Sequence, residues 1–334
     1  MALVDCKNQK ITSETQLRKI ISAYPKILDK RVRFELDHYC REFISFSTLI
    51  VSAYHLSNYP MVPLTHKDVV VLDSKTIMLS LDSFLNLGDA SIYASLYFLV
   101  PGVGHGLRVN GQFEKQKDSK VVFKVTTAYL HCARAAARAE LWRDHQSKSQ
   151  FENNKKISPE EFISASPYLL MKTTNEMGET ELSPRGDQAG FVHLIEEDCL
   201  FIPERPGNKV AVSLRNILKN GKVELLFFLP GTDYIMNVNG HAILTEDEQY
   251  IDATAVNNKR PKLGILLEKC CFSIAQSKAI KSAQPWFDKS HVNPDCLTRF
   301  SKALSAHMNG EGLIGKAATP FISAIVKNDM KHLY

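Results

Sequence analysis

The 334 residues, 44% hydrophobic and 23% charged, have an ordinary globular composition and are too many for one typical core, so two domains are expected. The formal charge of +5 is spread along the chain rather than gathered in a basic stripe, which argues against nucleic acid as a partner. The opening MALVDCKNQKITSETQ lacks the apolar core of a secretory leader, and no apolar run approaches the ~18 residues that span a bilayer. A cytoplasmic protein with no membrane partner is expected. Seven cysteines without a C-x-x-C pair fit reduced thiols, and eleven scattered histidines give no expectation of a metal site.

In chain order, ITSETQLRKIISAY reads as a helix capped by Ser13 or Thr12, with Leu17, Ile20 and Ile21 on one face. FISFSTLIVSAY, from Phe43, is a helix end running into an apolar strand. FLVPGVGHGLRVNGQ (98–112) reads as a β-hairpin, two strands joined by Pro101-Gly102, the second ending at Asn110-Gly111. HCARAAARAELW (131–142) follows as a short helix, and 143–161 is almost free of apolar residues, as a linker should be.

The same order of phrases then recurs. FISASPYLLMKT from Phe162 repeats the first strand phrase, FFLPGTDYIMNVNGH (227–241) repeats the hairpin, and SIAQSKAIKSAQPW (273–286) parallels the closing helix. This is a tandem duplication of a unit made mostly of short strands and turns, and a pair of small β-barrels with helical trimmings is the expected architecture. The offset between copies grows from 119 at the first phrase to 129 at the hairpin, so the second copy is longer in between.

That longer interval holds the chemistry. DCLFIP is a strand, ERPGNK a turn, and VAVSLRNILKNG a short helix stopped at Asn220-Gly221. Strand, turn and helix start bring free backbone amides together with Arg205, Lys209 and Arg215, while Asn208 and Ser213 add neutral donors, a composition suited to a phosphate. A solvated basic loop is the plainer reading. The matching interval of the first copy has Lys67 and Lys75 but no arginine and no Pro-Gly-Asn turn.

At SPRGD (183–187), RPGN (205–208), SLRNIL (213–218) and the FLxPGxDxxxxVNG phrase (228–240), the chain resembles the pyridoxamine-phosphate-oxidase-like flavoproteins, the FMN-binding split barrels. The resemblance covers about 150–287 well and 10–142 more faintly. It implies a mainly β fold with helices (α+β), as two tandem split β-barrels forming an intramolecular pseudo-dimer. It divides the chain into a degenerate barrel over 1–145, an FMN-binding barrel over 146–286 and a C-terminal helical extension over 287–334. Carried over by position, Arg205, Asn208, Lys209, Ser213 and Arg215 would hold the phosphate and ribityl chain of FMN, with Ser183 and Arg185 beside the flavin ring. Arg185 and Asp187 pairing with each other or with the loop is the competing reading. Arg108, Arg134 and Arg138 of the first half are candidates to reach across, and His105 and His131 to face the shared interface. Trp142 and Trp286 are candidates for ring stacking or plain packing.

The implied function is an FMN-dependent oxidoreductase acting on a small-molecule substrate, as a monomeric pseudo-dimer or a homodimer, with no catalytic residue evident. The alternatives are a non-catalytic flavin-binding module, a haem-binding protein of the same fold using a tail histidine such as His332, and a user of the deazaflavin F420. GEGLIGKA (310–317) nearly spells a phosphate-binding loop, but Ala317 stands where a hydroxyl is needed and a helix, not a strand, precedes it. The tail beyond 287 has amphipathic helical spacing that would suit a barrel cap, a flavin cover or a dimer contact.

Overall fold

The computed structural model describes residues 9–55, 60–80, 91–115, 120–143 and 157–334. A two-residue strand β1 (Lys10–Ile11) leads into helix α1 (Glu14–Ile20), where Ser13 accepts from the Gln16 amide at 3.2 Å. Helix α2 (His38–Phe46) is capped by Asp37, which accepts from the Cys40 amide. Seven strands follow: β2 (Leu49–Tyr54), β3 (Val62–Thr65), β4 (Val69–Val71), β5 (Thr76–Ser80), β6 (Ile92–Leu99), β7 (Gly106–Lys115) and β8 (Lys120–His131). Helix α3 (Arg134–Arg138) closes the unit.

The second unit opens with α4 (Pro159–Ala165), held by a reciprocal capping box between Ser158 and Glu161. Its strands are β9 (Tyr168–Thr174), β10 (Thr180–Gly186), β11 (His193–Glu196) and β12 (Cys199–Pro203), then β13 (Lys222–Phe228), β14 (Tyr234–Thr245) and β15 (Gly264–Gln276). Helices α5 (Val212–Lys219) and α6 (Glu248–Ala253) interrupt them, and α7 (Lys278–Ala283) follows. The sheets run β3-β2-β6-β7-β8-β5-β4 and β10-β9-β13-β14-β15-β12-β11. Adding seven to each strand number of the first gives the second, so the duplication read from the sequence is a duplication of topology. Both halves are antiparallel split barrels.

The repeated hairpin phrase differs from expectation at one point. Pro101-Gly102 and Pro230-Gly231 do make the turns, with Gly102 and Gly231 at φ +83° and +90°, where a side chain is disfavoured. Asn110-Gly111 and Asn239-Gly240 do not end their strands. They sit inside β7 and β14, where the pairing register slips. A Cβ on Gly111 would lie 2.0 Å from the Lys124 carbonyl oxygen, and one on Gly240 2.8 Å from that of Glu268, so glycine admits the close approach at each bulge.

Strands β2 and β9 are buried along their whole length because both of their faces are covered. Ile50, Leu96 and Phe98 point into the first barrel, and Leu169, Met171 and Phe227 into the second. The alternate residues, Leu49, Val51, Tyr97 and Leu99 against Leu170, Leu226 and Phe228, pack the halves together. Trp142 and Trp286 stack with ring centroids 5.7 Å apart. Their indole N–H groups donate to the Val103 and Thr232 carbonyls, equivalent positions in the two Pro-Gly turns. Both tryptophans therefore serve packing and are committed to each other.

The opening helix, expected at the head of the first unit, docks on the second barrel. β1 pairs with β14, and Ile11 and Leu17 join the second core. The tail does the reverse. Helices α8 (Phe300–Asn309) and α9 (Leu313–Lys331) lie C-terminal, and Leu297, Phe300 and Ala303 cover the first core. Gly310 and Gly312 of the near-miss phosphate loop lie in the turn between these helices. His307 Nε2 meets Asp37 at 2.8 Å, and Cys40 completes a group of three donor residues there.

His105 lies between Phe43 and Phe300, with ring centroids 5.0 and 5.3 Å away, inside the first half rather than at the shared interface. Burial lowers its pKa from 6.5 to about 4. A group depressed in the folded state stabilises fully above its unfolded value, and that stability is lost as pH falls from about 6.5 toward 4. Replacing His105 with Phe should flatten the fall in stability across this window by up to one proton's slope, read from denaturant midpoints; an unchanged slope would refute a buried neutral imidazole.

Candidate functional site

Between the halves lies a cavity of about 140 Å³. From the second half come Ser183, Arg185 and Gly186 on β10, the end of β12 and the loop 204–211 that starts α5. From the first half come Arg31, the β8 end with Tyr129, His131 and Cys132, and Arg134 and Arg138 on α3. The approach of α3 to β10 depends on Gly186, where a Cβ would lie 2.4 Å from the Ala135 carbonyl oxygen.

The loop is an unusual conformation held by contacts from elsewhere. Lys209 and Ala211 take left-handed backbone angles, φ +61° and +57°, which cost a non-glycine residue about 1 kcal/mol or more each. Asn208 Oδ1 accepts from the Val210 amide at 3.0 Å, and Arg18 of α1 donates to the Lys209 and Val210 carbonyls at 2.8 and 3.2 Å. This explains the docking of α1 on the second barrel: it clamps the loop.

The arginines of the cavity are partly balanced. Arg185 pairs with Glu204 at 2.5 Å and donates to Ser213 Oγ at 3.0 Å, while Arg205 pairs with Asp187 at 2.5 Å. Asp187 therefore binds the loop and not Arg185. Arg138 spans the interface, donating to the carbonyls of Gly186, Pro206 and Leu333. Burial lowers the pKa of Arg138 and Arg31, and burial, with the charges of Arg108 and Arg31 nearby, lowers that of His131 well below its usual value. His131 Nε2 is buried without a hydrogen-bond partner among the described residues.

The C-terminal residues reach into the same place. Arg134 bonds the Asp329 carboxylate at 3.1 Å and the His332 carbonyl. Tyr334 donates its hydroxyl to Asp187, and its ring lies 5.7 Å from the Arg205 guanidinium. Burial and then Asp187 push its phenol up to about 12. His332, the candidate haem ligand, is exposed and has Nδ1 on its own helix's Asn328 carbonyl at 2.9 Å.

Of the residues singled out in the sequence, Ser183, Arg185, Arg205, Asn208 and Ser213 line this one cavity. Arg215 does not line it. Two residues along a helix is about 200°, so Arg215 leaves α5 on the side opposite Ser213. Lys209 lines a neighbouring cavity, because its left-handed backbone turns it outward. Of the first-half arginines, Arg134 and Arg138 reach the cavity while Arg108 does not. Arg108 is buried against the Leu182 carbonyl at 2.9 Å and Glu181 at 2.5 Å. Sequence reasoning missed Arg31, Tyr129, Cys132 and Glu204, which line the cavity, and Tyr334, which contacts Asp187 and Arg205 beside it. Only Tyr129 carried a signal, standing two residues before His131 on one strand and so on the same face.

No family model matches the chain, and no curated protein matches it. Similar solved structures include HupZ from Group A Streptococcus, 17% identical over 36% of this chain and 96% of that one, with a TM-score of 0.31. An F420 reductase is 14% identical over 36% of this chain and 98% of its own, TM-score 0.28. An FMN-binding protein from Syntrophomonas wolfei is 13% identical over 42% and 88%, TM-score 0.24. These matches cover 36–42% of the chain, and the split-barrel architecture stands on the chain's own strand order. Among the described residues, no helix is long and apolar enough to cross a membrane.

Replacing Arg18 with Ala should release the strained loop, with faster amide hydrogen exchange confined to 207–211 and a stability loss of about 1–2 kcal/mol from the two charged hydrogen bonds. Unchanged exchange would show that the loop holds itself.

Proposed function

We propose that the interface cavity takes the phosphate end of FMN and that the chain is an FMN-dependent oxidoreductase acting on a small organic substrate, with one flavin per chain. The observation that carries this reading is the convergence of five arginines from both halves, Arg31, Arg134, Arg138, Arg185 and Arg205, on one partly enclosed cavity, against three acids: Glu204 on Arg185, the adjoining Asp187 on Arg205, and Asp329 on Arg134. The excess positive charge suits a dianion, and Ser213 and the loop amides supply neutral donors.

The residues fit such a group at its phosphate end. His131 lines the cavity, and its Nε2 is buried without a hydrogen-bond partner among the described residues. Cavities that hold organic ligands are typically about 300–1,000 Å³, so at about 140 Å³ the flavin ring needs Tyr334 and its neighbours to withdraw. The Leu333 carbonyl and the Tyr334 ring now rest on Arg138 and Arg205, the groups an entering phosphate would use. FMN supplies hydride or two-electron transfer when bound. The protein binds its anionic end, orients it between the barrels and excludes water; no acid-base pair is required of it.

The fold supports the one-chain reading, since the first half stands where a second subunit would. The stretch of the first half that would answer to the loop includes residues 81–90, which lie outside the described residues, as does most of the expected linker.

Titrating FMN into the purified chain, followed by quenching of flavin fluorescence, should give saturation at one per chain. Arg138→Ala and Arg205→Gln should each weaken binding about 10- to 100-fold, the worth of a charged hydrogen bond to phosphate. Lys67→Ala with Lys75→Ala should bind as wild type; equal losses in both sets would overturn the assignment of the site to the second half's loop.

A further inference from the structure

On the other side of the 204–208 segment lies a second, larger cavity of about 630 Å³, between the end of α1, the loop that carries Lys209, and the turn at Lys259–Leu263. Its size lies within the range of organic ligand sites. Lys19, Lys209 and Lys262, from three separate segments, face it without an ion pair among the described residues. Among the described residues Lys259 bonds the Tyr334 carbonyl, and Arg260 is held by Asp252 at 2.5 Å. The one acidic residue of the lining, Glu204, is committed to Arg185. The unbalanced charge of this cavity thus belongs to lysines, which act as point charges around a rim and not as planar forks on one phosphate.

The cavity is also apolar beneath that rim, where Ile20, Ile21, Pro261 and the buried Leu263 line it. Several separated cations over an apolar floor match a ligand with more than one anionic group and a flat, weakly polar body. We infer that this cavity is a binding site for a nucleoside diphosphate or a ligand built on one, separate from the interface cavity and sharing only the wall at 204–208 and Ala211. The inference rests on Lys19, Lys209, Lys262 and the apolar floor, none of which the interface cavity uses, so it stands apart from the flavin reading. It also gives Lys209 a partner that its left-handed backbone denies it on the interface side.

The test is calorimetric titration of ADP into the full chain at low salt, with wild type and the Lys19→Glu/Lys262→Glu variant compared. Both lysines are exposed, so the variant should keep its thermal midpoint. One ADP per wild-type chain, bound at least tenfold more weakly by the variant and more weakly with added salt, is the expected result. Repeating the titration with FMN in excess should leave ADP uptake unchanged. No binding to wild type, equal affinity in the variant, or one-for-one displacement of FMN by ADP would each overturn the inference. A chain that binds ADP but no FMN would sink the flavin reading and leave this one standing.

Discussion

The structure depends on burying both faces of four strands. β2 and β6 of the first half, and β9 and β13 of the second, each turn one row of side chains into their own barrel and the alternate row onto the other half. Apolar area of this kind contributes roughly 25 cal/mol per Å² when removed from water, so neither half is complete alone. The two buried cations of the seam are charge-paired: Arg108 reaches Glu181 and the Leu182 carbonyl, with its Nε left without a hydrogen-bond partner among the described residues, and Lys172 reaches Glu224 and the Tyr54 carbonyl. Removing one partner of such a buried pair is expensive, whereas the pair itself adds little net stability, so these contacts fix how the halves register more than how strongly they hold.

The cavity is a consequence of that registration. α3 of the first half packs on β10 of the second, and α7 of the second packs on β2 and β3 of the first, as a two-fold relation requires. The relation is broken in chemistry. The Arg108 position carries Asn237 in the second copy, and helix α5 with its loop belongs to the longer second interval. Where symmetry fails, five arginines converge at the edge of the seam, and the two ends of the chain attend to them. α1 clamps the loop from outside, and the residues after α9 cover it from above.

The fold was largely legible because duplicated phrases mark equivalent strands and because Pro-Gly turns need glycine in the left-handed region. The Asn-Gly pairs misled, since a bulge and a turn ask for the same residues and differ only in what the neighbouring strand does. The loop chemistry was legible as composition, and five residues of seven reached the cavity. Arg215 lies off that cavity by its helical phase and Lys209 lines the neighbouring one, placements that composition does not encode. Arg31, which lines the cavity, and Tyr334, which contacts Asp187 and Arg205 beside it, had no signal at all: both come from segments distant in sequence, and only tertiary packing brings them there. The opening helix was assigned by proximity in the chain to the first half, whereas it packs on the second.

All of this stands on the two halves lying face to face, and the chain carries its own reporter of that contact. Its two tryptophans are the stacked pair at the seam, with rings 27° from parallel. Ultraviolet circular dichroism of the folded protein should show an exciton couplet from the two indoles, abolished equally by Trp142→Phe or by Trp286→Phe. A spectrum without the couplet, or one that either single substitution leaves intact, would mean that the halves do not pack as described.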